Sequence, residues 1–474
     1  MAFMNKLESQ AQAAPGALIS YHWPLVLLLS IFLVVRLLLF ITIGPQLYFD
    51  SQTYIAPAIA MLENRGYDDF SFWDGSRTPV YPLFLTIVFG FFGKDNFQAV
   101  VGAQILLGLV ITTILYYVGL RISFQRRIAF LCGLVYALDL SSAAFEHAIL
   151  SETSTTLLLS AALLLTLYLL DGSSLNYRRV FLLGLLTGLL ALCRPVFVFY
   201  PILLLTMTLL GYRFLGYRAK GKRRAAAWAT TFLLPPILLI GSWTFRNYVQ
   251  YDYLGISTLL GSNLTQHVGM LMEKAPREYT DLADIYIKYR EQRIRESGTH
   301  TFAVGLAYEE MMDTTGLSFS QLSKELTKLS LALILQEPKV YIKSFVRSFI
   351  RFWSPSVYYS HIARGESILN LAHAAYRIWH FAMLLGFFTG IIYVVAALDL
   401  VGSENSFMLR GFALKLAIIF ATILYVATVS SLLEYGENPR YKAPVQPLIY
   451  LTVPLVYSYR QEARRIMKRW VTYR

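Results

Sequence analysis

The chain has 474 residues, of which 56% are apolar and only 15% charged, against about a quarter charged in an ordinary soluble domain. The apolar residues fall in long blocks, such as Trp23 to Ile43, Phe181 to Leu192 and Phe412 to Val429, which excludes a single water-soluble core. The formal charge of +13 is concentrated in Arg213, Arg218, Lys220, Lys222, Arg223 and Arg224, and in a tail from Arg460 to Arg474. Both clusters follow apolar blocks, as positive-inside anchors do, and no stacking, finger or recognition motif accompanies them, so nucleic acid is not an expected partner.

The first predicted span covers about Tyr21 to Ile43 and carries Arg36, which is costly in lipid unless it faces protein. Its length and flanks read as a retained helix. An outside loop follows over 44–97. In it, Phe49 to Leu62 reads as a helix that Asp50 or Ser51 can cap. Val80 to Phe92, after Pro79, is apolar but short for a full span, so it reads as re-entrant or surface-lying. Further spans are expected at about Ala99 to Leu120, Ile128 to Ala144, Leu150 to Leu170, Phe181 to Cys193, Val196 to Leu210 and Ala226 to Trp243. Arg121, Arg126 and Arg127 mark an inside turn, as do Arg178 and Arg179.

The region from Arg246 to Trp379 is too polar to lie in the membrane throughout. Lys339, Lys343, Arg347 and Arg351 recur every four residues after Pro338, with Phe345, Phe349, Phe352 and Trp353 as the apolar complement. That pattern predicts an amphipathic helix on anionic lipid. Phe381 to Leu398, Phe412 to Leu432 and a last span from Pro444 to Tyr457 complete the set. The predicted organisation is an N-terminal transmembrane module 1–245, an outside region 246–379, C-terminal transmembrane helices 380–459 and a basic cytoplasmic tail 460–474. The two cysteines, Cys132 and Cys193, sit in apolar blocks and read as buried hydrophobes.

This topology sends four polar groups to the outside face. Asp50 with Tyr54 leaves the first span, where a carboxylate can serve as a general base or merely cap a helix. Glu146, His147, Ser151 and Glu152 interrupt an apolar stretch. Glu146 and His147 are a weak metal signature, and a divalent metal ion is left open. Arg77, Arg246 and Asn247 form the third group, since arginine donors fit a phosphate. Arg194 before Pro195 reads as an outside turn or a structural salt bridge. The fourth is Glu434 to Pro444, in which Arg440 and Lys442 can hold a lipid-linked phosphate or pair with Glu434 and Glu437.

The motifs Phe49-Asp50-Ser51-Gln52-Thr53-Tyr54, Arg77-Thr78-Pro79-Val80-Tyr81-Pro82, Leu150-Ser151-Glu152, Arg194-Pro195, Trp243-Thr244-Phe245-Arg246-Asn247 and Glu437-Asn438-Pro439-Arg440-Tyr441 occur in this order. In them the chain resembles GT-C glycosyltransferases of the protein O-mannosyltransferase and aminoarabinose-lipid A transferase group. The resemblance implies an all-α polytopic GT-C fold of about 10–13 transmembrane helices, with juxtamembrane helices in the first outside loop. It implies inverting transfer of a sugar from a polyprenyl-phosphate donor to a lipid, glycan or protein acceptor, outside the cytoplasm. Asp50 then takes the part of base, with Glu152 as a second catalytic carboxylate. Arg246, Arg440, Lys442 and Arg77 would hold the donor phosphate. Tyr54, Tyr81, Glu146, His147, Asn247, Glu437 and Tyr441 would line the substrates.

Many members carry two adjacent acids at the first motif, whereas this chain has Asp50-Ser51, which weakens the case for a metal there. The chain departs from some members in lacking a large C-terminal soluble domain and from the eukaryotic protein mannosyltransferases in lacking extra luminal repeats, which points to a prokaryotic enzyme in the bacterial inner membrane, its site facing the periplasm. A transporter or lipid flippase is the main rival, but paired halves are not evident and the polar groups gather at one face. A lipid-linked glycan polymerase or ligase is the second rival.

Overall fold

The computed structural model describes residues 15–67, 74–171, 176–214, 222–356, 367–401 and 407–458. The basic tail from Arg460, as well as Arg218, Lys220, Asp68 and Asp69, lies outside the described residues. Among those residues the chain is helical, and the one β-bridge joins Gln46 to Ala148.

Seven helices are long and apolar enough to cross a membrane. They lie in α1 (Pro15–Thr42), α4 (Phe97–Ser123), α7 (Glu152–Asp171), α9 (Tyr200–Phe214, with the turn before it), α10 (Lys222–Tyr251), α16 (Ser367–Val401) and α17 (Phe407–Leu433). An eighth span is broken: α5 (Arg126–Ala137) and α6 (Leu140–His147) meet at 51°. The bend falls at Asp139, whose carboxylate caps α6 by accepting from Ser142 N at 2.8 Å. α8 (Tyr177–Cys193) and α19 (Gln446–Ser458) are apolar but shorter, and the sequence count of about 10–13 had included both.

The outward faces explain why the chain is so apolar. Val34, Leu37, Leu38 and Ile41 of α1, and Ile237 and Leu238 of α10, are exposed in a row. Such faces suit lipid, not water. Inside, helices approach closely where glycine permits. A Cβ on Gly184 would meet the Phe232 carbonyl oxygen at 2.1 Å, and one on Gly188 would meet Pro236 Cα at 2.9 Å. This small-xxx-small stripe seats α8 against α10.

α2 (Phe49–Leu62) and α3 (Val80–Phe92) pack on each other in the first loop, as expected for juxtamembrane helices. A second core gathers from α11 (Leu260–Val268), α12 (Thr280–Ser297), α13 (Ala303–Thr315) and α14 (Phe319–Gln336), around Tyr286, Tyr308, Met311, Phe319 and Leu329. α14 starts with a capping box between Ser318 and Gln321.

α15 (Pro338–Phe352) corrects one detail of the sequence reading. Phe352 is fully buried, and Trp353 packs on Phe387 and Phe388. The exposed apolar ridge is instead Ile342, Val346 and Ile350. It runs beside exposed Lys339, Lys343 and Arg347. The helical period explains this: residues four apart share a face, and the aromatic face is the one turned inward.

Candidate functional site

The site forms where the α1–α2 turn, the Arg77 loop, the start of α7 and the loop after α17 meet. The first two contacts are made by backbone. Gln46 N donates to His147 O at 2.8 Å and Ile149 N donates to Gln46 O at 3.1 Å, tying the first loop to the segment that opens α7. The Arg77 loop is stitched to the segment after α10 by Ser257 Oγ to Ser76 O at 2.7 Å and Thr258 Oγ1 to Asp74 O at 2.7 Å.

Arg440 lies in the short helix α18 (Asn438–Tyr441). The preceding turn needs Gly436, whose φ is +126° and where a Cβ would lie 2.3 Å from Thr301 Cγ2. Asn438 Nδ2 holds the turn by donating to Glu434 O at 2.8 Å.

These supports bring together a network of three arginines and three carboxylates. Arg440 Nη1 lies 2.7 Å from Asp50 Oδ2 and 3.0 Å from Glu437 Oε2, while its Nε lies 2.6 Å from Glu152 Oε1. Arg77 Nη2 reaches Asp50 Oδ1 at 2.8 Å, and its Nε donates to Thr53 Oγ1 at 2.7 Å. Arg194 Nη1 lies 3.2 Å from Glu152 Oε1. Tyrosines frame the network. Arg77 sits over the Tyr54 ring at 4.5 Å and Arg194 over Tyr441 at 4.5 Å. Tyr54 meets Tyr81 edge-on at 5.1 Å and lies 3.3 Å from Ser151 Oγ through its hydroxyl.

The electrostatics separate the carboxyls. Burial pushes Asp50 up, but Arg77 and Arg440 outweigh it and hold Asp50 well below the usual carboxylate range. Glu434 goes the other way: burial, then the charges of Glu437 and Asp50, raise it to about 8 despite Arg440.

Arg246 stands beside this network. Its guanidinium lies 4.9 Å from the Trp243 ring, 5.0 Å from Tyr251 and 5.5 Å from Tyr67. The Tyr67 hydroxyl in turn donates to Arg77 O at 3.0 Å. Asn247 is buried and spends its amide on the turn, donating to Gly255 O at 2.8 Å.

Other residues singled out in the sequence are held elsewhere. Glu146 is paired with Arg36 at 2.6 Å and accepts from the Tyr136 hydroxyl at 2.8 Å. His147 is buried, with Nδ1 on Ala143 O at 2.9 Å. No group of three or more His, Cys, Asp or Glu side chains suited to a metal occurs among the described residues. Lys442, two positions after Arg440, turns into a separate polar group. It donates to Ser354 O and lies 3.1 Å from His380 Nε2.

Sequence reasoning left Arg194 undecided between a turn and a salt bridge, and overlooked Tyr435. Arg-Pro at a helix break was the available signal for the former. Tyr435 stacks on His300 at 4.9 Å, accepts from Arg347 Nη1 at 3.3 Å and lies under Arg351 at 5.4 Å.

Residues 76–243 match the model of the dolichyl-phosphate-mannose-protein mannosyltransferase family. No curated protein matches the sequence. Among solved structures, the oligosaccharyltransferase of Archaeoglobus fulgidus, tethered to an acceptor peptide containing the NVT sequon, is 14% identical with a TM-score of 0.50 over 94% of this chain. This chain spans 50% of that enzyme's length. ArnT from Cupriavidus metallidurans, bound to undecaprenyl phosphate, is 14% identical with a TM-score of 0.40, over 90% of this chain and 78% of that one. The likeness to the archaeal enzyme is one of fold. The protein is thus an all-α, multi-pass membrane protein of GT-C fold, resembling the enzymes of that class.

Proposed function

We propose that this protein is a membrane glycosyltransferase that moves a sugar from a polyprenyl-phosphate donor to an acceptor hydroxyl, with inversion, on the periplasmic side of a bacterial inner membrane. The observation that carries this is Asp50, a carboxylate in the first turn of α2 just beyond the first span, gripped by two arginines from distant parts of the chain. The match of residues 76–243 to a family named for a dolichyl-phosphate sugar supports the donor class.

The chemistry follows from charge. The acceptor oxygen attacks the anomeric carbon and gives its proton to Asp50 as the new C–O bond forms. The bond from the anomeric carbon to the phosphate oxygen breaks, and the phosphate leaves with the electron pair. Its growing charge needs preorganised cations; Arg77 and Arg440 touch Asp50, and Arg246 stands behind Arg77 across Tyr67.

At rest, Asp50 is a weak base because two arginines hold it ionised. A phosphate that draws either guanidinium toward itself would restore basicity to Asp50, coupling donor arrival to base activation. Glu152 anchors Arg440 during that exchange. Lys442, facing His380, is left out of the phosphate contacts in this reading, as are Glu146 and His147 out of the substrate contacts. The exposed ridge of α15, basic on one side and apolar on the other, suits anionic membrane lipid.

The test is transfer from a radiolabelled polyprenyl-phosphate sugar to a membrane extract by purified protein. Product containing the label is expected, and on the order of 10³-fold less with Asp50→Asn. Undiminished transfer by that variant would remove Asp50 as base.

A further inference from the structure

Two polar atoms in the network are buried and have no hydrogen-bond partner among the described residues: Glu152 Oε2 and Arg194 Nη1. The residues that carry them are only 1% and 7% exposed. Leaving either atom unsatisfied in a buried position is costly, and more so for charged groups. Each residue already has a neighbour, since Arg194 Nη1 stands 3.2 Å from Glu152 Oε1. That contact lies outside hydrogen-bond geometry for the guanidinium N–H, so the donor is still available.

The two atoms are complementary: one accepts, one donates. The groups are in contact, Arg194 Nη1 lying 3.2 Å from Glu152 Oε1, and both atoms are closed off at rest, so a single oxygen at ordinary hydrogen-bond length, about 2.8 Å from each, bridges them when the pair opens to admit it. A neutral hydroxyl fits, because it donates to the carboxylate and accepts from the guanidinium. A phosphate oxygen does not fit, since it would face the carboxylate. An ammonium does not fit either, since it would face the guanidinium.

We propose that Glu152 and Arg194 form a subsite that reads one ring hydroxyl of the transferred sugar. This rests on the polyprenyl-phosphate sugar transferase reading above. Depth identifies the sugar as belonging to the donor. The Asp50 side chain is 28% exposed, against 1% for Glu152, and an acceptor arrives from the open side. Distance agrees with this. One guanidinium, Arg440, spans from Asp50 to Glu152 through contacts of 2.7 and 2.6 Å. The pair therefore lies one side chain away from the base that works at the anomeric carbon.

A site built to bond a hydroxyl rejects the analogue that lacks it by about 10⁴-fold. The experiment uses purified full-length protein and a panel of undecaprenyl-phosphate hexoses with their monodeoxy analogues. Transfer is read as kcat/KM, and binding as heat protection in detergent. Wild-type protein is expected to discriminate against the analogue deoxygenated at one ring position by at least 10³-fold. Arg194→Met is expected to lose most of that discrimination while the ratios at other positions hold. A merely structural arginine would lower every donor alike.

Transfer with no discrimination at any position in the wild-type protein overturns the subsite, whether or not the variants fold, and leaves the transferase reading standing. Binding with discrimination but without transfer supports the subsite and overturns the transferase reading. Neither binding nor transfer overturns both.

Discussion

Arg36 and Arg440 are both buried arginines held by carboxylates, yet their surroundings differ in kind. Arg36 is enclosed by one neighbourhood. Its guanidinium pairs with Glu146 and donates to the carbonyls of Ala137 at 2.9 Å and Tyr136 at 3.2 Å, and the Tyr136 hydroxyl closes the remaining side of the carboxylate. Both Glu146 oxygens are thereby satisfied. Arg440 instead links Asp50, Glu152 and Glu437, and its partner Glu152 retains an oxygen without a bond. A completed network stabilises and specifies packing. An incomplete network containing a partly exposed carboxylate is the one proposed above to take a ligand. Buried charge alone therefore does not separate structure from chemistry in this protein; satisfaction and access do.

The comparison breaks first at Asp50. Asp50→Asn keeps the shape and the Arg77 and Arg440 neighbours but removes the base. Transfer is expected to fall on the order of 10³-fold, within the usual range for a lost general base. Radiolabel assays measure this, while the melting temperature in detergent stays within a few degrees of wild type. Arg36→Met should do the converse. It leaves Glu146 buried and uncompensated, a change that costs about 3–5 kcal/mol. Thermal unfolding should show the loss, and the folded fraction should transfer sugar at the wild-type rate. If Arg36→Met selectively lowered turnover in stable protein, the division between the two networks would not hold.

Arg440→Lys sharpens the contrast. Lysine keeps the charge but cannot reach Asp50, Glu152 and Glu437 together through one planar fork. kcat/KM is expected to fall about 10²-fold, as for loss of an oxyanion donor. Lys442→Met, two positions on, should leave the KM for the donor unchanged.

The sequence shows one half of this contrast better than the other. Asp50, Arg77, Glu152 and Arg440 each lie in a short motif at the end of an apolar block, so topology alone sends them to one face. The clustering of Glu146 with His147 misleads because its explanation, Arg36, lies 110 positions earlier. Local spacing carries no record of such a partner. Lys442 misleads for a helical reason. Two positions along a helical turn place side chains on different faces, so Arg440 and Lys442 point into different groups. Arg194 is ambiguous because both of its readings hold: it ends a helix and joins Glu152. The ridge on α15 was legible as amphipathic, but which apolar side chains stay exposed depended on what packs beneath it.

The smallest expected effect separates Asp50 from Glu434, a carboxyl beside the network. Asp50 is held below its unfolded pKa, so its contribution to stability is present above about pH 4 and lost as pH falls. Glu434 is raised to about 8, so its contribution is full below about pH 4.3 and is lost as pH rises through 8. Ionised Glu434 would add a fourth negative charge to those of Asp50, Glu152 and Glu437, competing for the arginines that the leaving phosphate needs. Glu434→Gln cannot ionise. Its melting temperature should therefore decline less than that of wild type between pH 5 and 9, by a few degrees at most, and transfer above pH 8 should be retained a few-fold better. Parallel pH curves for variant and wild type would mean that Glu434 titrates alike in the folded and unfolded states, so that burial does not raise it. In that case Glu434 would stand beside Asp50 without tuning its charge, and the boundary between the closed and open networks would run through this loop.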